Sequence, residues 1–126
     1  MAEAYINFGN VHDSKGEYDM AIKYYNKALK LDANSAGAYN NRGEAYLHKG
    51  KYDRAIKDFD QALKLNPNLV EAMANIGDAY LAKNDNKNAL KWFKEARKRK
   101  DQLPNKGEKI LKSLEKLKHR DKTVGS

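Results

Sequence analysis

A repeat of 34 residues constrains this chain more than any other feature of its sequence. Three rows of that length, residues 2–35, 36–69 and 70–103, align without gaps. The first two rows agree at 17 of 34 positions, and the second and third agree at 13. Three columns hold small residues and a fourth holds large aromatic ones: Gly9, Gly43 and Gly77; Ala21, Ala55 and Ala89; Ala28, Ala62 and Ala96; and Tyr25, Phe59 and Phe93. Such a chain is expected to stack similar units in a row.

Each row predicts two helices. In the second row, apolar or small side chains at positions 39, 43, 46 and 47 share one side of a helix over residues 36–49, and residues 51–64 repeat that pattern. Gly16, Gly50 and Asn84 stand between the two helices, and these residue types tolerate the left-handed conformation that ends a helix. Asn68, with Glu71 three residues later, is predicted to cap the first helix of the third row.

The small columns have a physical reason. Glycine at the eighth place of each row and alanine at the twentieth allow the two helices of a row to approach closely. Alanine at the twenty-seventh place makes room for the next row, and the aromatic residue at the twenty-fourth is expected to fill the wedge between rows. With few residues that favour strands, the sequence predicts an all-α fold.

These residues resemble the tetratricopeptide repeat family. The resemblance is carried by Gly9, Gly43 and Gly77 with the tyrosines around them, and by an alanine followed four residues later by an aromatic residue in each row. It covers roughly residues 2–103 and implies a right-handed α-solenoid of three antiparallel helix pairs. Four residues depart from the family pattern: His12, Arg42, Met73 and Asn86.

Residues 104–119 predict a seventh helix. Pro104 suits a first helical turn, and Ile110, Leu111, Leu114 and Leu117 share one face. Because no further repeat follows, this helix is predicted to cap the third repeat, with a disordered tail over residues 120–126. The whole chain, residues 1–126, is therefore predicted to form one domain of seven helices.

The residue types needed for catalysis are missing or scattered. The chain has no cysteine, and none of its three histidines has a second metal ligand at a suitable spacing. We therefore predict no enzyme activity, no metal and no cofactor. No stretch approaches the roughly 20 apolar residues of a membrane span, and the first residues do not resemble a signal peptide, so a cytoplasmic location is expected.

The resemblance implies that the first helix of each row lines a concave groove that binds a protein or peptide. The places that would face inward hold these candidate residues: Ile6, Asn7, Asn10, Asn40, Asn41, Glu44, Leu47, Asn75, Asp78 and Leu81. An asparagine amide can both donate to and accept from a peptide main chain. Because these places hold acidic residues and no lysine or arginine, a neutral or basic ligand is predicted.

One subfamily of the resembled family binds the acidic C-terminal tails of chaperones with two lysines, an arginine and two asparagines. Asn10 and Asn41 stand at the two asparagine places. The three basic places hold Ile6, Glu71 and Asn75 instead. Without a cation to meet the carboxylates, the chain is predicted not to be an acidic-tail clamp.

The net charge of +8 is concentrated at one end of the chain. Residues 1–86 contain 11 Lys/Arg and 12 Asp/Glu, whereas residues 87–126 contain 14 and 5. Residues 97–122 are expected to bind nucleic acid or anionic membrane only weakly, since no aromatic residue follows Phe93 to stack on bases. The leading interpretation is a mainly monomeric protein-interaction module. Two alternatives stay open: an engineered or reconstructed scaffold without an evolved ligand, and a polyanion-binding protein that acts through its basic C-terminal end.

Overall fold

Six helices in three pairs make up the described part of the chain. The computed structural model describes residues 1–99 and 115–116. The helices are α1 (Ala2–Ser14), α2 (Tyr18–Leu31), α3 (Ala36–His48), α4 (Tyr52–Leu65), α5 (Val70–Ala82) and α6 (Asn86–Arg97), with no strand among these residues. The all-α prediction is confirmed for these six helices. The predicted seventh helix and the tail lie outside the described residues, apart from Glu115 and Lys116, which are helical.

The turn within each pair depends on one left-handed residue. Gly16 and Gly50 both have φ of +79°, and Asn84 has φ of +65°. This conformation reverses the chain in three residues, because the next backbone N–H can reach back to the helix that has just ended. The N–H of Glu17, for example, donates to the carbonyl oxygen of His12 at 2.8 Å. The left-handed conformation predicted for this column is confirmed.

Within each pair, the aromatic ring lies directly on the glycine. A methyl group placed on Gly43 would lie 2.5 Å from Cε1 of Phe59, and Gly9 and Gly77 are covered in the same way by Tyr25 and Phe93. The close approach expected at glycine is therefore present, but a side chain of the second helix meets the glycine rather than its backbone. Phe59 also packs against helix α5, so the ring fills the wedge between pairs as expected.

Consecutive pairs stack through the alanine columns. Ala45 of α3 packs against Ala21 and Tyr25 of α2 in one buried cluster. Ala72 of α5 packs in the same way against Ala62 of α4. This stacking brings α1 beside α3 and α3 beside α5, so the three first helices form one side of the molecule.

The start of α5 differs from the prediction. Its N-cap is Leu69, which offers no side-chain hydrogen bond, and not Asn68. The N–H of Asn68 is bound instead to Oδ1 of Asn66 at 3.2 Å, in a local turn that precedes the helix. The same place before α3 is Ser35, whose Oγ accepts from the N–H of Ala38 at 3.1 Å. The cap position thus follows the repeat, but of the three first helices only α3 has a capping side chain at that position.

Arg42, which departs from the family pattern, has a built-in partner. Its Nε and Nη2 donate to the carboxylate of Asp58 at 2.9 and 2.8 Å, and its Nη1 donates to Oδ1 of Asn26 at 2.9 Å. The two places that Arg42 and Asp58 occupy hold a matched pair in every repeat. Repeat one has Phe8 on Tyr24, with ring centroids 5.6 Å apart, and repeat three has Ile76 and Trp92 in one apolar cluster.

Candidate functional site

Hydrogen bonds join the neighbouring first helices at the places that the sequence assigned to a groove. Nδ2 of Asn75 donates to Oδ1 of Asn40 at 3.1 Å and to Oε1 of Glu44 at 2.9 Å, which links α5 to α3. Nδ1 of His48 lies 3.1 Å from Oδ1 of Asp13, which links α3 to α1. These places therefore lie on one continuous side of α1, α3 and α5, called here the first-helix surface.

The links follow the repeat with a shift of one residue. Asn40 and Asn75 are 35 residues apart, and so are Asp13 and His48. A side chain at one place of a repeat therefore meets the following place of the next repeat, since the repeat itself is 34 residues long. The third link, from Asn75 to Glu44, spans 31 residues and so joins Asn75 to a second place one helical turn further along α3.

Two of the candidate asparagines join neighbouring helices of this surface to each other. Asn40 is 2% exposed and Asn75 is 9% exposed, and they are bonded to each other. A buried amide needs such partners, because its desolvation would otherwise be uncompensated. Their role in the structure is to hold α3 and α5 in register, and they present little surface to a ligand.

Other candidate polar residues lie open. Asn7 and Asn10 are exposed and Asn41 is half-buried. Oδ1 of Asn10 accepts a hydrogen bond from the hydroxyl group of Tyr25 at 2.6 Å. The amide nitrogen of Asn10 has no hydrogen bond within the described residues, so it is the group of this side chain that can donate to a ligand.

The first-helix surface has a negative electrostatic character. Burial raises the pKa of Tyr25 well above its usual value, and the charges of Asp13 and Glu44 raise that pKa further. In the described part of α1, α3 and α5, the inward places hold five Asp/Glu and no Lys/Arg: Glu3, Asp13, Glu44, Glu71 and Asp78. A cationic group on a ligand would be favoured here and an anionic group disfavoured.

The remaining candidates supply apolar contact. Ile6, Leu47 and Leu81 are half-buried, and each packs against a different cluster of the core. Each therefore leaves part of an apolar side chain at the edge of the surface. Asp78 is half-buried on the same side of α5. All ten predicted residues thus lie on α1, α3 or α5, eight of them with accessible surface.

Sequence reasoning overlooked Tyr25 as a groove residue. The aromatic column assigned it to the core, and its ring is indeed buried, but its hydroxyl group reaches Asn10. The sequence did contain a sign of this role, because Tyr25 has a hydroxyl group whereas Phe59 and Phe93, in the same column, do not. Asp13 and His48 were not among the ten candidates, and their contact, with the same 35-residue spacing as Asn40 and Asn75, adds them to this surface.

Other kinds of site have little support in the described residues. There, no three His, Cys, Asp or Glu side chains are grouped closely enough to hold a metal ion. Within those residues, no helix combines the length and apolar character needed to cross a membrane. His12, one of the departures from the pattern, stacks on Tyr24 with ring centroids 5.3 Å apart.

Solved structures of other proteins share this fold over three quarters or more of the chain. The complex of the TPR2B domain of yeast Sti1 with an Hsp70 peptide has a TM-score of 0.88 and 25% identity, covering 94% of this chain and 97% of that one. The second TPR domain of human RPAP3 with the HSP70 peptide SGPTIEEVD has a TM-score of 0.80 and 28% identity, covering 93% and 94%. The second TPR domain of Spaghetti (RPAP3), bound to the HSP90 peptide SRMEEVD, has a TM-score of 0.72 and 30% identity, covering 75% and 88%.

Family models match three successive segments of the sequence. A model described as TPR repeat matches residues 9–50, and two described as tetratricopeptide repeat match residues 36–69 and 70–101. A comparison with curated protein sequences gives no match. The segments 36–69 and 70–101 coincide with the second and third helix pairs of the fold. The chain belongs to the tetratricopeptide repeat family.

Proposed function

We propose that this chain is a non-catalytic interaction module that binds a peptide along the first-helix surface. Three structural neighbours with 25–30% identity are complexes with chaperone peptides, which supports a peptide as the class of ligand. The observation that carries the proposal is the set of hydrogen bonds between neighbouring first helices. Asn75 with Asn40, and His48 with Asp13, hold the three first helices side by side and leave open amides and apolar edges along them.

The ligand is bound through its main chain and a few apolar side chains. Asn7 and Asn10 offer amide groups on α1, where an extended peptide can exchange hydrogen bonds with them. Ile6, Leu47 and Leu81 offer one apolar contact on each of the three first helices. Spacing these contacts along the surface selects a segment with apolar residues at intervals rather than a single anchor.

The proposed ligand is neutral or basic, although the peptides of two neighbours end in EEVD. The places where an acidic-tail clamp has cations hold Ile6, Glu71 and Asn75 in this chain. Asn75 is also bonded to Asn40 and Glu44, so it cannot turn toward a carboxylate without losing those bonds. An acidic tail would meet carboxylates here without compensation by a lysine or arginine.

Selection from a randomised nine-residue peptide library tests this proposal on the full chain. We expect the enriched peptides to carry zero or positive net charge and to shift the backbone amides of Asn7, Asn10 and Asn41. Asn7→Ala and Asn10→Ala should each weaken binding roughly two- to tenfold, the range for one hydrogen bond. Lys30→Ala, on the exposed side of α2, is the control and should change nothing.

Three other outcomes would contradict the proposal. Tight binding of SGPTIEEVD at Asn10 and Asn41 in physiological salt would show that the ligand class is wrong. Acidic peptides or nucleic acid that bind only near residues 97–122, and that dissociate as salt rises, would favour the polyanion-binding alternative. A library that yields no binder would favour a scaffold without a ligand.

A further inference from the structure

The outer side of α1 carries an apolar stripe that is largely exposed in the described structure, although the ring of Phe8 contacts Tyr24 on one side. Met1, Ala4, Phe8, Val11 and Lys15 lie three or four residues apart and therefore share one face. Phe8 is 54% exposed and Val11 is 50% exposed. Exposed neighbouring apolar side chains of this size are unusual on a surface that contacts only water.

The places of Ala4 and Val11 are buried in the other two first helices, where all four residues are alanines with no exposed surface. Ala38 and Ala45 of α3 correspond to Ala4 and Val11, and both are fully buried. In α5, Ile76 corresponds to Phe8 and is fully buried against Ala55 and Phe59 of α4. In both internal cases the covering element is the second helix of the preceding repeat. The face on α1 is therefore an uncovered copy of an interface that the chain forms twice.

A repeated ion pair defines the charge of the missing partner. Lys49 pairs with Asp19 of α2, and Lys83 pairs with Asp53 of α4. Each aspartate is the second residue of the covering helix. Lys15 stands at the same place as Lys49 and Lys83, and no acidic side chain pairs with it in the described part of the chain. The uncovered face thus lacks both an apolar partner and an acidic one.

We propose that this face of α1 binds an α-helix of another protein, whose contact side has the pattern Asp-x-Ala-x3-Leu-x2-Ala. The aspartate and the two alanines are taken from Asp19, Ala21 and Ala28 of α2 and from the same places of α4. Leucine replaces the aromatic residue because Val11 stands where α3 and α5 have alanine, so a full ring would overpack the contact. This site is separate from the first-helix surface and does not rest on the peptide-binding proposal.

A second copy of the chain fits this face less well than a partner helix. The sides of α2 and α4 with the required pattern are already buried inside the molecule. The equivalent helix of the third repeat, α6, has Lys87 where α2 and α4 have aspartate, so it offers Lys15 no acidic partner. Two copies could also meet through α1 itself. Lys15 ends the stripe, and Lys27 lies over the ring of Tyr24, which packs on Phe8, so two such faces would bring like charges together. A partner helix with an acidic side chain would instead bring a negative charge to these lysines.

The test uses a hydrocarbon-stapled peptide of residues 51–65 that carries Phe59→Leu, titrated into the isotope-labelled full chain. We expect saturable shifts at Ala4, Val11 and Lys15 and none at Asn7 or Asn41. Val11→Asp should reduce affinity at least about tenfold, because it places a charge in the apolar contact. Lys15→Glu should reduce it about two- to fivefold, as for an exposed ion pair. Lys57→Glu, the same charge change on α4, is the matched control.

A charge exchange makes the test specific. A second probe with Asp53→Lys should bind the Lys15→Glu variant better than it binds the unmodified chain. The proposal is overturned if this preference is absent, or if the first probe shifts Ala45 or Ala79, since it would then be displacing α2 or α4. Concentration-dependent shifts on α1 without any probe, together with a dimer in sedimentation, would assign the face to a second copy instead.

Discussion

At Gly43, the ring of Phe59 occupies the space that any larger residue would need. Three ring carbons lie 2.5–3.0 Å from the position of an added Cβ. Phe59 is fully buried, so it has no free volume to move into. The glycine is therefore required by a side chain of the same repeat, and the glycine and aromatic columns depend on each other.

Gly43→Ala should destabilise the fold although alanine is the better helix former. Helix propensity alone favours the variant by about 1 kcal/mol, whereas overpacking costs about 1–3 kcal/mol. Gly37→Ala is the matched control in the same helix, because an added Cβ there meets nothing within 4 Å. It should stabilise by up to about 1 kcal/mol. Urea unfolding, followed by the fluorescence of Trp92, the single tryptophan, measures the free energy of unfolding of both variants. A Gly43→Ala variant as stable as the Gly37→Ala variant would refute the contact.

Asp85, at the N-cap of α6, should give stability that depends on pH. Its carboxylate accepts from the side chain of Asn88 at 2.7 Å and from its backbone N–H at 3.2 Å. These bonds lower the pKa of Asp85 below its usual value of 3.8. The contribution is therefore full at neutral pH and is lost as the pH falls through the lowered pKa.

Asp85→Ala should lower the melting temperature at pH 7, and the difference from the unmodified chain should shrink in acid below the usual carboxyl range. Asp85→Ser is the control, because serine can cap the helix without titrating in this range, as Ser35 does before α3. A difference between Asp85→Ala and the unmodified chain that stays constant with pH would exclude the carboxylate as its source.

Among the helices, Arg42 connects three elements. It lies on α3, forms a bidentate pair with Asp58 on α4, and reaches Asn26 on α2. The hydrogen bond with Asp58 is the main reason that the pKa of Arg42 is raised. The pair takes the place of a tilted contact between two aromatic rings in repeat one and of apolar packing in repeat three. The same two places of the repeat are thus joined by an aromatic contact, by an ion pair and by apolar packing in the three successive repeats.

Asp58→Ala should destabilise the chain by about 1–3 kcal/mol, because it leaves a partly buried guanidinium group without its main partner. The double change Arg42→Ile with Asp58→Trp copies the pair of repeat three and should recover part of that loss. Asp53→Ala, which breaks an exposed pair on the same helix, should have a much smaller effect. Equal losses in the single and double variants would show that the two places are not interchangeable.

These examples show how far sequence alone could reach. The period, the helix pairs and the left-handed turns follow from columns of similar residues, which are visible in one sequence. Those columns did not show that the aromatic ring of each repeat meets the glycine of the same repeat. Arg42 seemed a departure because its partner is a matching change at Asp58, and only the packing shows that these two places touch. The register placed Asn40 and Asn75 inward, but it could not show that neighbouring helices would bury them. The prediction that Asn68 caps α5 was wrong by one residue, because the cap must stand immediately before the helix and Leu69 holds that place.

For the molecule as a whole, the predicted capping helix stays a prediction, since residues 104–119 lie almost entirely outside the described part. Leu114→Asp should lower the melting temperature, because each apolar residue of that face is expected to stabilise by roughly 1.5–3 kcal/mol before entropy. Lys116→Asp is the control, since Lys116 is helical and exposed. Unchanged melting and a monomeric elution profile for the Leu114→Asp variant would contradict a capping role.

The reach of Arg42 across a repeat boundary has a consequence for how such an array can grow. The place of Asn26 is held by Asp60 in repeat two and by Lys94 in repeat three. If a tandem gene duplication copied repeat two, the new arginine would meet Asp60, and the new junction would gain an ion pair at once. A copied repeat three would set Ile76 beside Lys94 and gain nothing comparable. The middle repeat is therefore the segment that evolution could copy with the least repair afterwards.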